Sequence, residues 1–364
     1  MKVKIVDSKK QLYAVKEEWI AFEEKVDNRN ITSSYMWQVT WWEHFGHIDN
    51  SEYGRNKQLC VIFLYADTGE LCAIAPFCLV RRTIKKVISY IAVEFIGQQW
   101  AATYLDIVSN KLSEQQLEYI MSWLRRNEKY DVIHLRYIPE YSCCFNLNSP
   151  GAYVLSACPE IKSLDINSIV QGYSKKLKQN LRTAHNKINR SEIEFNSEIK
   201  EKFNTDLFNS IVIVSKSKLS DGKHSIYLDN QKKEYLKNIY SIMNFNCVNI
   251  TFNGSTVAYR VNIIYNERKY CIDASYDRSF KKYDLGAISV QSNIEDSCNK
   301  KLSNHCFGTG IDSYKLKFTN DICRLFIILI RGNTLKSKII MKYLSRNSTI
   351  QENEFEKKYD ETIR

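Results

Sequence analysis

The chain has 364 residues, 44% of them hydrophobic, so it can bury sizeable cores, and its length favours two or three domains; we expect two. It carries 52 lysines and arginines against 41 aspartates and glutamates, and the net charge of +11 indicates an anionic partner or a basic surface. Since no stretch approaches the ~20 apolar residues of a membrane span and the start lacks a secretory signal, we expect a cytoplasmic protein.

The motifs of several function classes are missing from the sequence. It contains no G-x-G-x-x-G, no G-x-x-x-x-G-K-[ST] and no G-x-S-x-G, which leaves dinucleotide oxidoreductases, P-loop proteins and serine hydrolases without support. Eleven cysteines without C-x-x-C spacing indicate reduced, buried thiols, and we expect no metal site, even at the adjacent pair Cys143 and Cys144. No nucleic-acid-binding signature occurs, so we expect no nucleic-acid partner.

The first half of the chain alternates helical and strand patterns. Hydrophobic periodicity predicts, in order, helices from Lys9 to Phe22 and from Met36 to Phe45, a hairpin of LCVIFLYA and LCAIAPFCLV turning at Asp67-Thr68-Gly69, the strand VISYIAVEFI, a helix from Ser113 to Arg126 and the strand DVIHLRYI.

The second half repeats this order after a basic amphipathic helix from Ser174 to Arg190. The patterns predict helices from Thr205 to Lys218 and from Asn230 to Asn244, a hairpin of VNITF and TVAYRVNIIY turning at Asn253-Gly254, the strand KYCIDASY, a helix from Leu285 to Lys301 and a closing strand in HCFGTGIDSYKLKF. The tail from Leu335 to Arg346 is predicted to be an amphipathic helix packed on the body, with contact to anionic lipid as the alternative.

One order of elements found twice predicts a duplicated α/β unit with mixed sheets covered by helices. We place the boundary between Ser149 and Asp165. The predicted domains are therefore residues 1–160, residues 161–335 and a helical tail of residues 336–364.

The strand KYCIDASY is followed by a helix that opens on Gly286-Ala287. Because backbone amides at such a helix start can bind a pyrophosphate, this segment is a candidate binding site. This favours an acyl-CoA transferase. On the basic helix, Lys178 and Arg182 lie one turn apart and are candidates to bind an acceptor phosphate; the alternative is a solvated charged face.

Three groups of residues resemble the tandem-domain branch of the GNAT superfamily, which contains cellulose-biosynthesis-type acetyltransferases and Fem-type aminoacyl transferases. They are the basic helix from Ser174 to Arg190, the loop residues Tyr276, Asp277, Phe280, Tyr283 and Gly286, and the closing residues Gly310, Tyr314, Lys315 and Phe318. The resemblance is good from Ile169 to Phe318 and looser over the first half. It implies two tandem GNAT-like domains of mixed α/β fold, with acetyl-CoA bound by the second.

The resemblance also implies site residues in the second half. Asp273, Ala274, Ser275 and Tyr276 would run beside the pantetheine arm, and Lys282, Tyr283, Leu285, Gly286 and Ala287 would hold the pyrophosphate. The alternatives are a buried apolar strand and an ordinary helix cap by Asp284. Lys315 would stabilise the oxyanion and Tyr314 would protonate the departing thiolate; the alternatives are a surface lysine and a buried structural tyrosine.

Three residues of the first half are acceptor-side candidates. Asp106 matches an acidic position near the acceptor in Fem-type transferases, and Trp100 and Tyr104 would wall the same pocket. The alternatives are a turn aspartate and core packing. The implied activity is acetylation of the amine of a dTDP- or UDP-linked amino-deoxysugar for surface polysaccharide synthesis. A polysaccharide, lipid-linked or peptide acceptor stays open, as do a non-catalytic adaptor and a nucleic-acid-binding protein.

Overall fold

The computed structural model describes residues 1–147 and 151–363 of the chain. The chain packs as two compact units, the first formed by Met1–Ala157 with Cys323–Arg364 and the second by Cys158–Ile322. The predicted domain limits differ from these units because the last strand and the terminal helix return to the first unit. Ser149, where the predicted boundary region begins, lies outside the described residues.

Strands make up the sheets of both units. In chain order they are β1 (Lys2–Val6), β2 (Arg55–Tyr65), β3 (Leu71–Ile84), β4 (Ile88–Phe95), β5 (Val132–Pro139), β6 (Gly151–Ile161), β7 (Phe195–Lys200), β8 (Phe245–Phe252), β9 (Ser255–Tyr265), β10 (Arg268–Tyr276), β11 (Asn304–Cys306) and β12 (Ile322–Arg331).

Helices accompany the strands in the predicted alternation. They are α1 (Lys9–Ala14), α2 (Lys16–Glu23), α3 (Tyr35–Phe45), α4 (Glu114–Asn127), α5 (Ile166–Gly172), α6 (Lys175–Asn189), α7 (Thr205–Lys216), α8 (Asn230–Ile242), α9 (Leu285–Asn299) and α10 (Leu335–Ile363). Side-chain caps fix several of the starts: Ser174, Asn204 and Asp229 each accept from an amide in the first turn of α6, α7 and α8.

The first unit builds its sheet in the order β1-β2-β3-β4-β5-β12. Neighbours pair antiparallel except β4 and β5, which run parallel through Ala92↔Val132 and Val93↔Ile133. The apolar stripe of α4 packs its buried leucines, isoleucine and methionine on this sheet, as its helical spacing predicts.

The second unit repeats the arrangement in the order β11-β10-β9-β8-β7, with β6 on the outer side of β11. Here β10 and β11 are the parallel pair, through Arg268↔Asn304, Lys269↔His305 and Tyr270↔Cys306. The buried stripes of α6 and α9 pack on β8 and β9. The duplicated α/β order predicted from the sequence is therefore confirmed.

The closing strand was predicted too long. Only β11 is a strand, and the chain from Phe307 to Phe318 forms a looped segment, which we call the closing loop. The reason is local: Gly308 and Gly310 adopt φ of 79° and 101°, in the left-handed region that a strand does not use. The first helix also differs, because α1 and α2 are separate helices that meet at Val15.

The terminal helix α10 continues beyond Arg346, where the predicted amphipathic stretch ends. Its residues Ile340 and Leu344 are buried with Leu329 of β12 and Ala92 of β4, so it packs on the first unit as expected. Among the described residues, no helix combines the length and the apolar character that crossing a membrane requires.

Candidate functional site

The parallel strands β10 and β11 diverge soon after they meet. They pair only from Arg268 to Tyr270 on β10, although β10 continues to Tyr276 with β9 on its other side. The closing loop turns away at once: a Cβ on Gly308 would lie 2.8 Å from the carbonyl oxygen of Cys271, so only glycine fits there. Beyond that contact, this edge of β10 has no partner strand in the described part of the chain.

The helix α9 begins beside this open edge with free amides. Asp284 adopts a left-handed conformation (φ 51°, ψ 40°) and makes no side-chain cap. The amide of Ala287 bonds the Asp284 carbonyl at 3.0 Å, but those of Leu285 and Gly286 have no acceptor within residues 1–147 and 151–363. The alternative of an ordinary cap by Asp284 is therefore wrong, and the positive end of the helix is available to an anion.

A cavity of about 370 Å³ lies between these two features. Its walls come from α6, β9, β10, α9 and the closing loop, and they include Leu177, Asn180, Arg260, Ala274, Ser275, Tyr276, Gly286, Ala287, Ser289, Tyr314, Lys317 and Phe318. Apolar rings and several cations share the lining. A concave site with a few convergent polar groups is the usual form of a small-molecule site.

Five of the nine residues predicted to bind the cofactor line this cavity: Ala274, Ser275, Tyr276, Gly286 and Ala287. The other four lie elsewhere for identifiable reasons. Asp273 accepts a short hydrogen bond from the hydroxyl of Tyr259. Tyr283 and Leu285 are buried in the core under α9. Lys282 places its ammonium 4.9 Å from the ring centroid of Tyr283.

Comparison with known proteins agrees with this geometry. Residues 175–316 match the family model of an acetyltransferase (GNAT) domain. The matched residues lie within the second unit, which we call the GNAT-type domain because of this similarity. This also confirms the sequence-based prediction of fold class, α/β with mixed sheets.

Solved structures extend the likeness to both units. A crystal structure of FemX superimposes with a TM-score of 0.60 at 10% identity, covering 90% of this chain and 97% of that one. A conserved protein of unknown function from Bacteroides thetaiotaomicron VPI-5482 gives 0.55 at 13% identity, covering 91% and 100%. The structure of L-PGS from Bacillus licheniformis gives 0.52 at 14% identity, covering 91% and 96%. At these identities the likeness shows a common fold, and no curated protein matches the chain in sequence.

Lys315 has a different position from the one predicted. Its ammonium is buried and donates to the carbonyl oxygens of Gly308, Thr309 and Gly310 at 3.1, 2.9 and 3.0 Å, with Asp312 at 3.4 Å. An ammonium has three donors, and all are used. Lys315 therefore holds the closing loop of the GNAT-type domain in place, which is a positioning role. Its predicted direct role on an oxyanion stays a prediction.

Tyr314 lines the cavity and is 39% exposed, so it is not a buried tyrosine. Its ring centroid lies 5.9 Å from the guanidinium carbon of Arg260. Arg260 was missed by the sequence analysis. The signal was present, because a single charged residue interrupts the apolar strand TVAYRVNIIY.

The basic helix α6 borders the cavity with residues other than the two predicted to bind an acceptor phosphate. Leu177 and Asn180 line it, whereas Lys178 and Arg182 are exposed. Lys178 donates to the carbonyl of Gln171 at 3.0 Å. The apolar stripe of α6 packs on the core and fixes how the helix is rotated about its axis. The helical spacing of the leucines and the alanine in the sequence already indicated this rotation.

Asp106 belongs to the first unit and organises a turn there. Its carboxylate accepts from the hydroxyl of Ser142 at 2.7 Å, the amide of Ile107 at 2.8 Å and the thiol of Cys144 at 3.6 Å. Burial raises the pKa of Asp106 to about 6, against these three hydrogen bonds, which lower it. These contacts are those expected for a turn aspartate, the alternative to an acceptor-side role.

The other two acceptor-side candidates also lie in the first unit. Tyr104 is buried, and its amide donates to the hydroxyl of Thr32 at 3.2 Å. Trp100 is partly buried, with its ring in edge contact with Phe45 at 5.5 Å between centroids. Tyr104 thus packs in the core, and the acceptor-side roles of both residues stay predictions.

Asp106, Cys143 and Cys144 place possible ligand atoms within 4.8 Å of one another. The carboxylate oxygen is already shared by three donors. A hydrogen bond with Cys143, together with burial, raises the pKa of the Cys144 thiol well above its ordinary value. The prediction that no metal binds at this cluster stays a prediction.

Proposed function

We propose that the chain is an acetyl-CoA-dependent N-acetyltransferase that acts on the amine of a nucleotide-linked amino-deoxysugar. One observation carries the proposal: in the GNAT-type domain, the open edge of β10 lies beside the uncapped start of α9. A thioester arm needs such an edge, and a pyrophosphate needs such amides.

The residues present fit the donor. Ala274, Ser275 and Tyr276 line the cavity along the β10 edge, where their backbone groups would meet the amides of a pantetheine arm. The amides of Leu285 and Gly286 would donate to the pyrophosphate, and the helix dipole adds about 0.3–1 kcal/mol for each favourably placed charge. These contacts would place the thioester near the point where β10 and β11 diverge.

The proposed reaction is direct transfer. The acceptor nitrogen bonds to the acyl carbon, the carbon–sulfur bond breaks, and the proton that the nitrogen releases ends on the thiolate of CoA. The hydroxyl of Tyr314, a residue that lines the cavity, is our candidate to carry that proton to sulfur. Lys315 contributes indirectly, because it fixes the closing loop that presents Tyr314.

Two features of the cavity support a nucleotide-linked sugar as acceptor. Tyr276, Tyr314 and Phe318 offer aromatic surface for a base or sugar ring. Lys218, Lys223 and Lys317 line the same cavity and would suit phosphates. The roles of Lys178, Arg182, Asp106, Trp100 and Tyr104 on the acceptor side, and the cytoplasmic location, stay predictions.

Calorimetric titration with acetyl-CoA followed by a thiol-release assay tests the proposal. We expect micromolar binding of acetyl-CoA and thiol release with dTDP- or UDP-amino sugars. Release with polysaccharide, lipid-linked or peptide amines instead would keep the acyltransferase and replace the acceptor. Absence of acetyl-CoA binding would reject the enzyme; a non-catalytic adaptor would then remain, and salt-sensitive binding of duplex nucleic acid would identify the third alternative.

A further inference from the structure

Arg260 is a buried cation that the proposed donor contacts do not use. It lies on β9 opposite Ala274 of β10, is 3% exposed and lines the cavity of the GNAT-type domain. One terminal nitrogen donates to the thiol sulfur of Cys271 at 3.3 Å. Its Nε is buried and has no hydrogen-bond partner among the described residues.

A partly buried arginine in the same chain shows what Arg260 lacks. Arg82 in the first unit donates from Nε and from a terminal nitrogen to the two carboxylate oxygens of Glu94, each at 2.8 Å. That pair is the bidentate geometry in which a guanidinium is stable away from water. The groups that contact the guanidinium of Arg260 are the sulfur of Cys271 and the ring of Tyr314, and neither is a carboxylate.

Two other cations of the cavity differ from Arg260 because each has a carboxylate partner. Lys218 has Asp273 at 3.9 Å and Arg278 has Asp221 at 2.9 Å. Asp284 is the acidic residue in the lining. A second polar atom also lacks a partner, because the buried hydroxyl of Ser275 has no hydrogen bond within the described residues. A buried, unpaired guanidinium is costly unless a ligand brings the anion.

We propose that Arg260 binds a carboxylate or phosphate that the acceptor carries close to its reacting amine. The inference rests on the proposed acyl-transfer function and narrows its substrate class. The acceptor is favoured over the donor for a chemical reason: the pantetheine arm is uncharged, and the phosphates of CoA are assigned to the start of α9. The anion beside Arg260 therefore belongs to the second substrate.

Matched acceptor pairs test this with the full chain. Each pair has one amine with an anion and its neutral counterpart: β-alanine with β-alaninamide for the carboxylate, and glucosamine 6-phosphate with glucosamine for the phosphate. We measure kcat/KM for acetyl transfer and, by calorimetry on protein saturated with acetyl-CoA, the binding of each member. The proteins are wild type, Arg260→Met and the control Arg55→Met, an exposed arginine of β2.

The expected result is a preference of wild type for an anionic member of at least about tenfold in kcat/KM or in Kd. The preference should fall to near one in Arg260→Met and persist in Arg55→Met, while the Kd of acetyl-CoA stays the same in all three. The pair that shows it distinguishes carboxylate from phosphate. If Arg260→Met does not fold, the wild-type preference and its loss in Arg260→Lys take its place, because lysine keeps the charge without the fork.

Equal treatment of charged and neutral members by wild type, in transfer and in binding, would overturn the inference, as would a preference that survives Arg260→Met. A change in the preference between succinyl-CoA and acetyl-CoA in that variant would place the anion on the donor and also overturn it. Failure of acetyl-CoA to bind at all would instead remove the proposed function.

Discussion

The two units share one order of elements and differ where a donor would bind. In the first unit, α4 starts with a closed cap: the hydroxyl of Ser113 accepts from the amide of Gln116, whose side chain accepts from the amide of Ser113. In the second unit, α9 starts at Asp284 without a side-chain cap. The amides that could bind an anion are satisfied in one copy and free in the other.

The strand edges also differ between the units, since one is bridged by a side chain and the other borders a cavity. After β4 and β5 diverge in the first unit, the side chain of Gln98 joins them: it accepts from the amides of Phe95 and Arg136 and donates to the carbonyl of His134. In the second unit, the corresponding edge of β10 borders the cavity. A duplicated fold can thus keep its shape in both copies while one copy fills the binding groove with its own side chain.

Filling the open groove should change donor binding more than any other substitution. Ala274→Trp would place an indole in the cavity of the second unit, and we expect the Kd of acetyl-CoA to rise at least about 100-fold, near 2.7 kcal/mol. Ala21→Trp is the matched control, because Ala21 lines a cavity of the first unit. Calorimetry measures both variants. Equal loss of affinity in the two would remove the distinction between the units.

Removing the bridge in the first unit should affect stability and leave donor binding unchanged. Gln98→Ala leaves two amides and one carbonyl without partners, and we expect about 1–3 kcal/mol less free energy of unfolding in urea. The exposed Gln179→Ala should change little. If Gln98→Ala changed the affinity for acetyl-CoA and left the free energy of unfolding unchanged, the groove of the first unit would take part in donor binding.

Asp106 offers a test through pH. Its pKa is raised to about 6, so the folded chain keeps a proton that the unfolded chain has released, and this group lowers stability as pH rises from about 4 to 6. In Asp106→Asn that loss is absent. We expect the variant to gain about 1 kcal/mol relative to wild type between pH 5 and pH 7, measured by urea unfolding. A large fall in turnover with an unchanged pH profile would favour the predicted acceptor-side role over the turn.

The smallest effect concerns the charge at the open helix start. Asp284→Asn keeps a residue that tolerates the left-handed conformation and removes a carboxylate from the cavity, so the Kd of acetyl-CoA should fall about two- to fivefold at low salt. Asp229→Asn changes the cap of α8 in the same unit and should have no effect on this affinity. A weaker affinity in Asp284→Asn would mean that Asp284 helps to bind the donor.

Much of this architecture was predictable because it follows local rules. Alternation along β9 and β10 and the apolar stripes of α4, α6 and α9 predict the duplicated order directly. The closing loop was not predictable in this way, since its shape depends on the contact of Gly308 with Cys271 and on the three carbonyls that Lys315 holds. Arg260 was overlooked because a strand pattern indicates only that a charged residue lies among buried positions. It does not indicate whether that charge has a partner.

Amide hydrogen exchange of the full chain, with and without acetyl-CoA, tests most directly which unit holds the donor. We expect protection of peptides that cover residues 271–287 and no change in residues 94–117, where Gln98 and the Ser113 cap occupy the equivalent groove. Protection of residues 94–117, or none in either segment, would contradict it.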